Sequence, residues 1–351
     1  MSKSAGARRP ESVLAEVAAL QRAGARGVLA TPLSSTGSVP LSAHSKLLLR
    51  EDGSIAGTIG GGPLELRALG AARDVLTSGE AQILQFDLDQ DEAAESGMIC
   101  GGECTVLLEP VSPGRAEDVY AAVARAEKEQ KPVVFITLLP SPAGSEKLVF
   151  LPNGALIGEA GDQQLLDVIT ETAKETLVAG RPRLIERPLL AHFDPIVPHP
   201  TVCIFGAGHV AIPLAHLAGL VGFRVVVTDD REEFANRKRF PHAGNVVVAS
   251  VSDAFASLSV GDDSYVIAVT RGHAMDEEVV ANALSTPAHY IGMIGSKRKV
   301  AAVFDRLRQR GFSDEDLARV HAPIGLDIGA DTVEEIAVSI VAELIAVRRS
   351  A

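Results

Sequence analysis

The sequence predicts an α/β protein: an N-terminal mixed α/β domain followed by a C-terminal, Rossmann-like, doubly wound parallel sheet. Three observations carry this. From Thr201 onward, apolar strand-like runs alternate with helical runs, the pattern of a parallel sheet with crossover helices. At the start of that alternation, VCIFGAGHVAIPLA places Gly206, Gly208 and Ala211 in a G-x-G-x-x-A pattern between a strand and a helix, and Asp229 closes the next strand. Upstream, AHFDPIVPHP (191–200) holds three prolines in ten residues and reads as an extended linker. The expected division is therefore 1–190, a linker over 191–200, and 201–351.

In the first domain, Val13, Val17 and Leu20 recur at helical spacing within 11–24. Strands follow at about 27–33 and 45–50, and REDGS supplies a hairpin turn at Gly53 before a strand over 55–59. Pro63 then suits the start of a helix, where its missing N–H costs nothing, and Leu64, Leu69, Ala72 and Leu76 mark its buried side. Further strands are expected at 82–88, 105–109, 133–138 and 147–151, with an Asn153-Gly154 turn and a helix over 162–178. No internal repeat and no low-complexity tract is evident.

In the second domain, strands are expected at 246–249, 265–270 and 289–294, and helices at 274–285 and 297–310. Thr332 and Glu335 form a capping box that opens a last helix.

Composition limits the partners. The 351 residues are 46% hydrophobic and 22% charged, with a net charge of −12, which disfavours a nucleic-acid backbone. No apolar stretch is long enough for a membrane span and no signal-peptide core is visible, so a cytoplasmic protein is expected. Cys100, Cys104 and Cys203 are too few and too unevenly spaced for a disulfide framework or a zinc site.

Four segments concentrate chemistry. In GTIGGGPLEL, Gly60, Gly61 and Gly62 precede a helix, a geometry that either makes a tight turn or turns backbone N–H groups toward an anion. In GMICGGEC, Cys100 is followed by Gly101 and Gly102. A thiol there can be a nucleophile, a sulfur carrier or a soft metal ligand, or a small residue packed at a turn; Cys104 and Cys203 read as core. Beyond the C-terminal ends of the Rossmann strands lie His209, then Arg271 and His273 within TRGH, and Ser296 and Lys297 within GMIGSKRK. Asp229 stands where a ribose hydroxyl would be held, and Asp229 with Asp230 would repel a 2′-phosphate, favouring NAD or another unphosphorylated ribose over NADP. The fold with an altered or empty nucleotide site is the other reading.

These residues resemble the xanthine dehydrogenase accessory protein family, XdhC/CoxI. The likeness rests on STGSVP (35–40), GTIGGGPLE (57–65) and GMICGGECTVLLEP (97–110). In the second domain it rests on FGAGHVAIPLAHLA, TRGHAMDEEVV, YIGMIGSKRK and PIGLDIGADTVEEIAVSIVAELIAVRR. The chain departs from the family pattern at Leu41, Ala211 and Val333. The resemblance implies a molybdenum cofactor-binding chaperone that protects the cofactor and supports its sulfuration by a cysteine desulfurase. It further implies insertion into apo xanthine dehydrogenase or a related molybdenum hydroxylase, and a homodimer. It places the family's motif cysteine, the contact to molybdenum, on Cys100, and its glycine-rich loop on Gly60–Gly62. On that reading the protein is a maturation factor rather than a catalyst. The alternative is an NAD(P)-dependent oxidoreductase using Gly206, Gly208 and Asp229 for the nucleotide and His273 as acid/base.

Overall fold

The computed structural model describes residues 12–37, 44–87, 102–114, 116–139, 146–158 and 163–350. The chain divides into two compact units, with the boundary between Pro198 and His199.

The first unit holds two five-stranded sheets. Helix α1 (Val13–Arg22) leads into β1 (Gly27–Ser35), β2 (Lys46–Arg50) and β3 (Ile55–Thr58). Helix α2 (Gly62–Ser78), β4 (Gln82–Asp87) and β5 (Glu103–Val111) complete the first set, in the order β3-β2-β1-β5-β4. Then the series repeats. Helix α3 (Glu117–Glu129), β6 (Val133–Leu139), β7 (Glu146–Phe150), β8 (Leu156–Ile157), α4 (Gln163–Ala179), β9 (Arg183–Ile185) and β10 (Leu190–Ile196) form a second sheet ordered β8-β7-β6-β10-β9.

The two sets match residue for residue. Ala30 faces Leu47 as Ile136 faces Leu148, and Leu29 faces Glu109 as Phe135 faces Asp194. Gly57 and Gly158 both have positive φ, and a Cβ on either would overlap the carbonyl oxygen of a lysine in the neighbouring strand, Lys46 or Lys147. Gly24 and Gln130, at φ 73° and 55°, follow α1 and α3. The unit is an internal duplication, which corrects the expectation of no repeat.

Each outer helix covers the outer face of its own sheet. Leu64, Ala68 and Ala72 of α2 pack on Val28, Leu47 and Val106, while Ile169 and Ala173 of α4 pack on Val134, Leu148 and Phe193. The inner faces, with α1 and α3, close one core around Leu29, Leu48, Val17, Val123 and Phe135. Of the expected linker over 191–200, residues 191–196 lie within β10 instead. Proline lacks only a donor, and Pro195 sits in an extended strand paired with β6 on one side while β9 reaches only as far as Phe193.

The second unit is the expected parallel sheet. Strands β11 (Thr201–Phe205), β12 (Arg224–Asp229), β13 (Asn245–Val248), β14 (Ser264–Ala268), β15 (Tyr290–Met293) and β16 (Val320–His321) lie in the order β13-β12-β11-β14-β15-β16. Helices α5 (Ala211–Leu220), α6 (Val251–Ser257), α7 (His273–Leu284), α8 (Lys297–Gln309), α9 (Asp314–Ala318) and α10 (Val333–Ser350) connect and cover it. Two apolar clusters, one around Ile204, Val227, Leu214 and Ile340 and one around Phe205, Val266, Val280 and Val303, bury its faces. The Thr332–Glu335 capping box forms, each residue's backbone N–H meeting the other's side chain.

Candidate functional site

The strand registers bring the singled-out segments of the first unit to one end of its first sheet. Antiparallel pairing of Ser35 with Cys104, Lys46 with Thr58, and Asp87 with Glu103 puts the end of β1, the start of β2, and the ends of β3 and β4 together with the start of β5. The β1–β2 connection, the glycine triplet and the chain before Gly102 all leave from there. Comparison with the second copy marks this end as special. Thr31 and Lys46 are 15 positions apart where Thr137 and Lys147 are 10 apart, and Leu84 and Val106 are 22 apart where Ile185 and Ala191 are 6 apart. The first copy thus has 5 extra residues in one loop and 16 in the other, both at this end. Gly102 is described; Cys100 and Gly101 lie outside the described residues.

Gly60, Gly61 and Gly62 all take positive φ (113°, 76° and 64°), a run that only glycine adopts without strain. The turn does orient its backbone donors toward an anion, but the anion is the chain's own. The Glu65 carboxylate accepts the N–H of Ile59 at 3.0 Å and of Gly61 at 3.2 Å, together with the Thr58 hydroxyl, and Gly60 N–H donates to Thr58 Oγ1 at 3.1 Å. Burial works to raise the Glu65 pKa, yet these bonds outweigh it and hold the carboxyl below its ordinary range. The corresponding position in the second copy is Leu166, so the resident carboxylate belongs to the first copy alone.

On the inner faces, two ion pairs cross from sheet to sheet. Lys46 of β2 pairs with Asp194 of β10, and Lys147 of β7 pairs with Glu109 of β5; all four side chains are 5% exposed or less. The lysines are equivalent to each other, as are the carboxylates, so the exchange is reciprocal. Lys147 also donates to Thr137 at 2.9 Å, while the buried hydroxyl of the equivalent Thr31 has no hydrogen-bond partner among the described residues. Burial alone would raise the Asp194 pKa, but Lys46 and His44 together bring it to about 2. His44, 44% exposed, places Nδ1 at 3.2 Å from Asp194 Oδ1. Buried His192 on the same strand is pushed down to about 4 by desolvation, and burial raises the pKa of Glu127, which Ser12 hydrogen-bonds.

In the second unit, the two motif glycines do different work. A Cβ on Gly206, at φ 106°, would stand 2.4 Å from the Val269 carbonyl oxygen, so this glycine lets β14 approach the turn. Around Gly208 a Cβ would meet nothing within 4 Å. Asp229 is 6% exposed and its oxygens have protein partners: Ala207 N–H at 2.8 Å, and Arg231 through Nε at 2.9 Å and a terminal nitrogen at 3.1 Å. Burial opposes ionisation there, but Arg231 and Ala207 hold the pKa at about 2. Where the sequence suggested a free ribose-binding acid, the carboxylate ties the glycine turn to β12.

Arg271 reaches Asp230 at 2.9 Å. His209 and His273 are exposed, the latter as the first residue of α7. Ser296 caps α8 by accepting from Lys299 N–H, and Lys297 is exposed in its first turn. Between these helices, fully buried Asp276 accepts from Thr270 and pairs with Lys299. Cys104 and Cys203 are core residues, as expected, with thiols pushed up by burial to about 11 and about 12.

Two family models match this chain. The XdhC and CoxI family model covers residues 20–87, and the XdhC Rossmann domain model covers residues 202–344. The chain belongs to the XdhC and CoxI family. This XdhC/CoxI chain is 27% identical over 335 residues to a Bacillus subtilis protein named as a probable xanthine dehydrogenase subunit, covering 92% of this chain and 93% of the relative. It is 23% identical over 325 residues to the molybdenum cofactor insertion chaperone PaoD of Escherichia coli, with 93% and 84% covered. Against Escherichia coli YqeB it is 27% identical over 255 residues, 67% of this chain, and spans about half, 47%, of that relative's length. Among solved structures, a crystal structure titled as a xanthine dehydrogenase from Bacillus halodurans matches with a TM-score of 0.82 at 27% identity, over 98% of this chain and 96% of the other.

Sequence reasoning did not single out Glu65, His44, Asp194, Arg231 or the Asp276–Lys299 pair as functional neighbours. For Glu65 the signal was present, an acid one helical turn into a glycine-opened helix. Asp194 and His44 are 150 positions apart, and no local pattern joins them.

Proposed function

We propose that this chain is a molybdenum-cofactor chaperone: it binds the cofactor, protects it while a cysteine desulfurase supplies sulfur, and inserts it into a xanthine dehydrogenase or related molybdenum hydroxylase. The observation that carries this is the meeting, at one end of one sheet, of every segment in which the first copy exceeds the second. The cluster containing Cys100 enters the sheet there, two residues before Gly102. Family membership and the names of the relatives support the same reading.

Cys100 is assigned as the thiolate that touches molybdenum, with Gly101 and Gly102 leaving room for the ligand. Gly61 and Gly62, around which a Cβ would meet nothing within 4 Å, border the same end. In the second unit, Gly208, His209, Arg271, His273, Ser296 and Lys297 are assigned to a nucleotide or to the client enzyme. A nicotinamide-dependent reaction is disfavoured, because Asp229 would first have to release Arg231 before gripping a ribose. A cytoplasmic homodimer completes the proposal.

The test is an anaerobic titration of the purified chain with isolated molybdenum cofactor, beside Cys100→Ala. Near-stoichiometric binding that the variant loses supports the chaperone. Binding that survives the substitution removes Cys100 from the site, and no binding by the unaltered chain overturns the function.

A further inference from the structure

The glycine turn was expected to take the phosphate of the ligand, yet Glu65 already accepts Ile59 N–H and Gly61 N–H there. An incoming phosphate would have to displace a carboxylate of like charge. At the same sheet end stands a group with the opposite character. His44 immediately precedes Ser45 and Lys46, is 44% exposed, and is held from below by a carboxylate that is itself 1% exposed. That carboxylate, Asp194, comes from the second copy and also neutralises Lys46.

We infer that His44 is a phosphate-binding residue of this end, with Asp194 as its positioning residue. As imidazolium, the ring donates Nδ1–H to Asp194, which fixes its orientation, and Nε2–H to a phosphate oxygen. Lys46, Asp194 and the imidazolium together carry one net positive charge, Glu127 apart. The groups facing His44 are Asp194 and His192 on β10 and Lys46 on β2, with Glu127 on α3 close to the Lys46–Asp194 pair. The acids Asp87 and Glu103 lie on β4 and β5, and β5 is two strands, about 10 Å, from β2. The duplication sharpens the assignment: the second copy has serine, Ser145, at the position of His44. A histidine therefore accompanies the inserted loops and is not required by the shared fold.

This inference rests on the proposed chaperone reading for the identity of its ligand but not for the phosphate chemistry, so two titrations separate them. The isotope-labelled full chain is titrated with inorganic phosphate while its His44 ring resonances are followed, and phosphate affinity is measured by calorimetry for the unaltered protein and for His44→Gln. A parallel titration uses isolated molybdenum cofactor. The expected result is a phosphate-dependent shift of the His44 ring and an affinity reduced at least tenfold in His44→Gln, with unchanged circular dichroism. Loss of affinity for phosphate and cofactor together supports both readings. Phosphate binding through His44 without any cofactor binding sinks the chaperone and leaves this inference standing. No phosphate binding by the unaltered chain, or equal affinity in His44→Gln, overturns the inference, whatever the cofactor does.

Discussion

The two copies of the α-β-β-β-α-β-β motif share strand order, register, a positive-φ glycine and a buried lysine–carboxylate exchange, yet differ at one end of one sheet. Shared features are those that any chain must keep to build the unit: Gly57 and Gly158, Lys46 and Lys147, Glu109 and Asp194. Unshared features are the two longer loops, Glu65 where the second copy has Leu166, and His44 where it has Ser145. Duplication thus separates residues that the shared fold requires from residues that it does not.

The largest expected effect breaks the shared part. Lys46→Met leaves Asp194 buried without its main counter-charge and should cost about 3–5 kcal/mol in denaturant unfolding, as should Lys147→Met through Glu109. Equal costs confirm that the copies are mechanically equivalent. A loss confined to one of them shows that the exchange is not reciprocal in energy.

Gly57→Ala and Gly158→Ala should each destabilise by about 2 kcal/mol or more, since both demand positive φ and overlap a carbonyl oxygen. Thermal melts of the pair check this.

Acid should act unevenly on the copies. His192 has a folded pKa of about 4, below its ordinary 6.5, so its contribution is present above pH 6.5 and is lost as pH falls toward 4. Asp194, lowered from 3.8 to about 2, adds a second loss below pH 4. The second copy's His192 corresponds to Leu107 in the first, so His192→Leu should abolish the first phase while leaving the second. A stability profile against pH that keeps its slope between 6.5 and 4 in that variant refutes the assignment.

A smaller effect sharpens the unshared part. Glu65→Gln keeps one acceptor but removes the charge facing two N–H donors, and should cost about 1 kcal/mol. The smallest concerns the second unit. Gly208→Ala should change stability by less than about 0.5 kcal/mol while weakening any ligand that approaches the turn.

Much of this architecture was legible. The Rossmann-like unit was readable because each strand, turn and helix signals locally, down to the Thr332–Glu335 box. The duplication was also written in the chain, as K-L-x5-G-x3-G-x2-G at Lys46 and again at Lys147, but five identities in fifteen positions are outweighed by the surrounding drift. What local pattern could not show was tertiary: that Asp229 would be claimed by Arg231, that Pro195 would sit inside a strand, and that Asp194 would reach His44. Each depends on which strands lie opposite, and that is decided by sheet pairing rather than by neighbours in sequence.

The crossed lysine–carboxylate pairs make the two copies interdependent. Either copy alone would leave its lysine and its acid without the opposite charge that the other copy supplies, so neither is a self-sufficient folding module, and the first unit should unfold in a single transition. A mutational library aimed at changing what the protein holds can therefore leave the second copy untouched as ballast, and vary only the loops and turn at the single end where the symmetry fails.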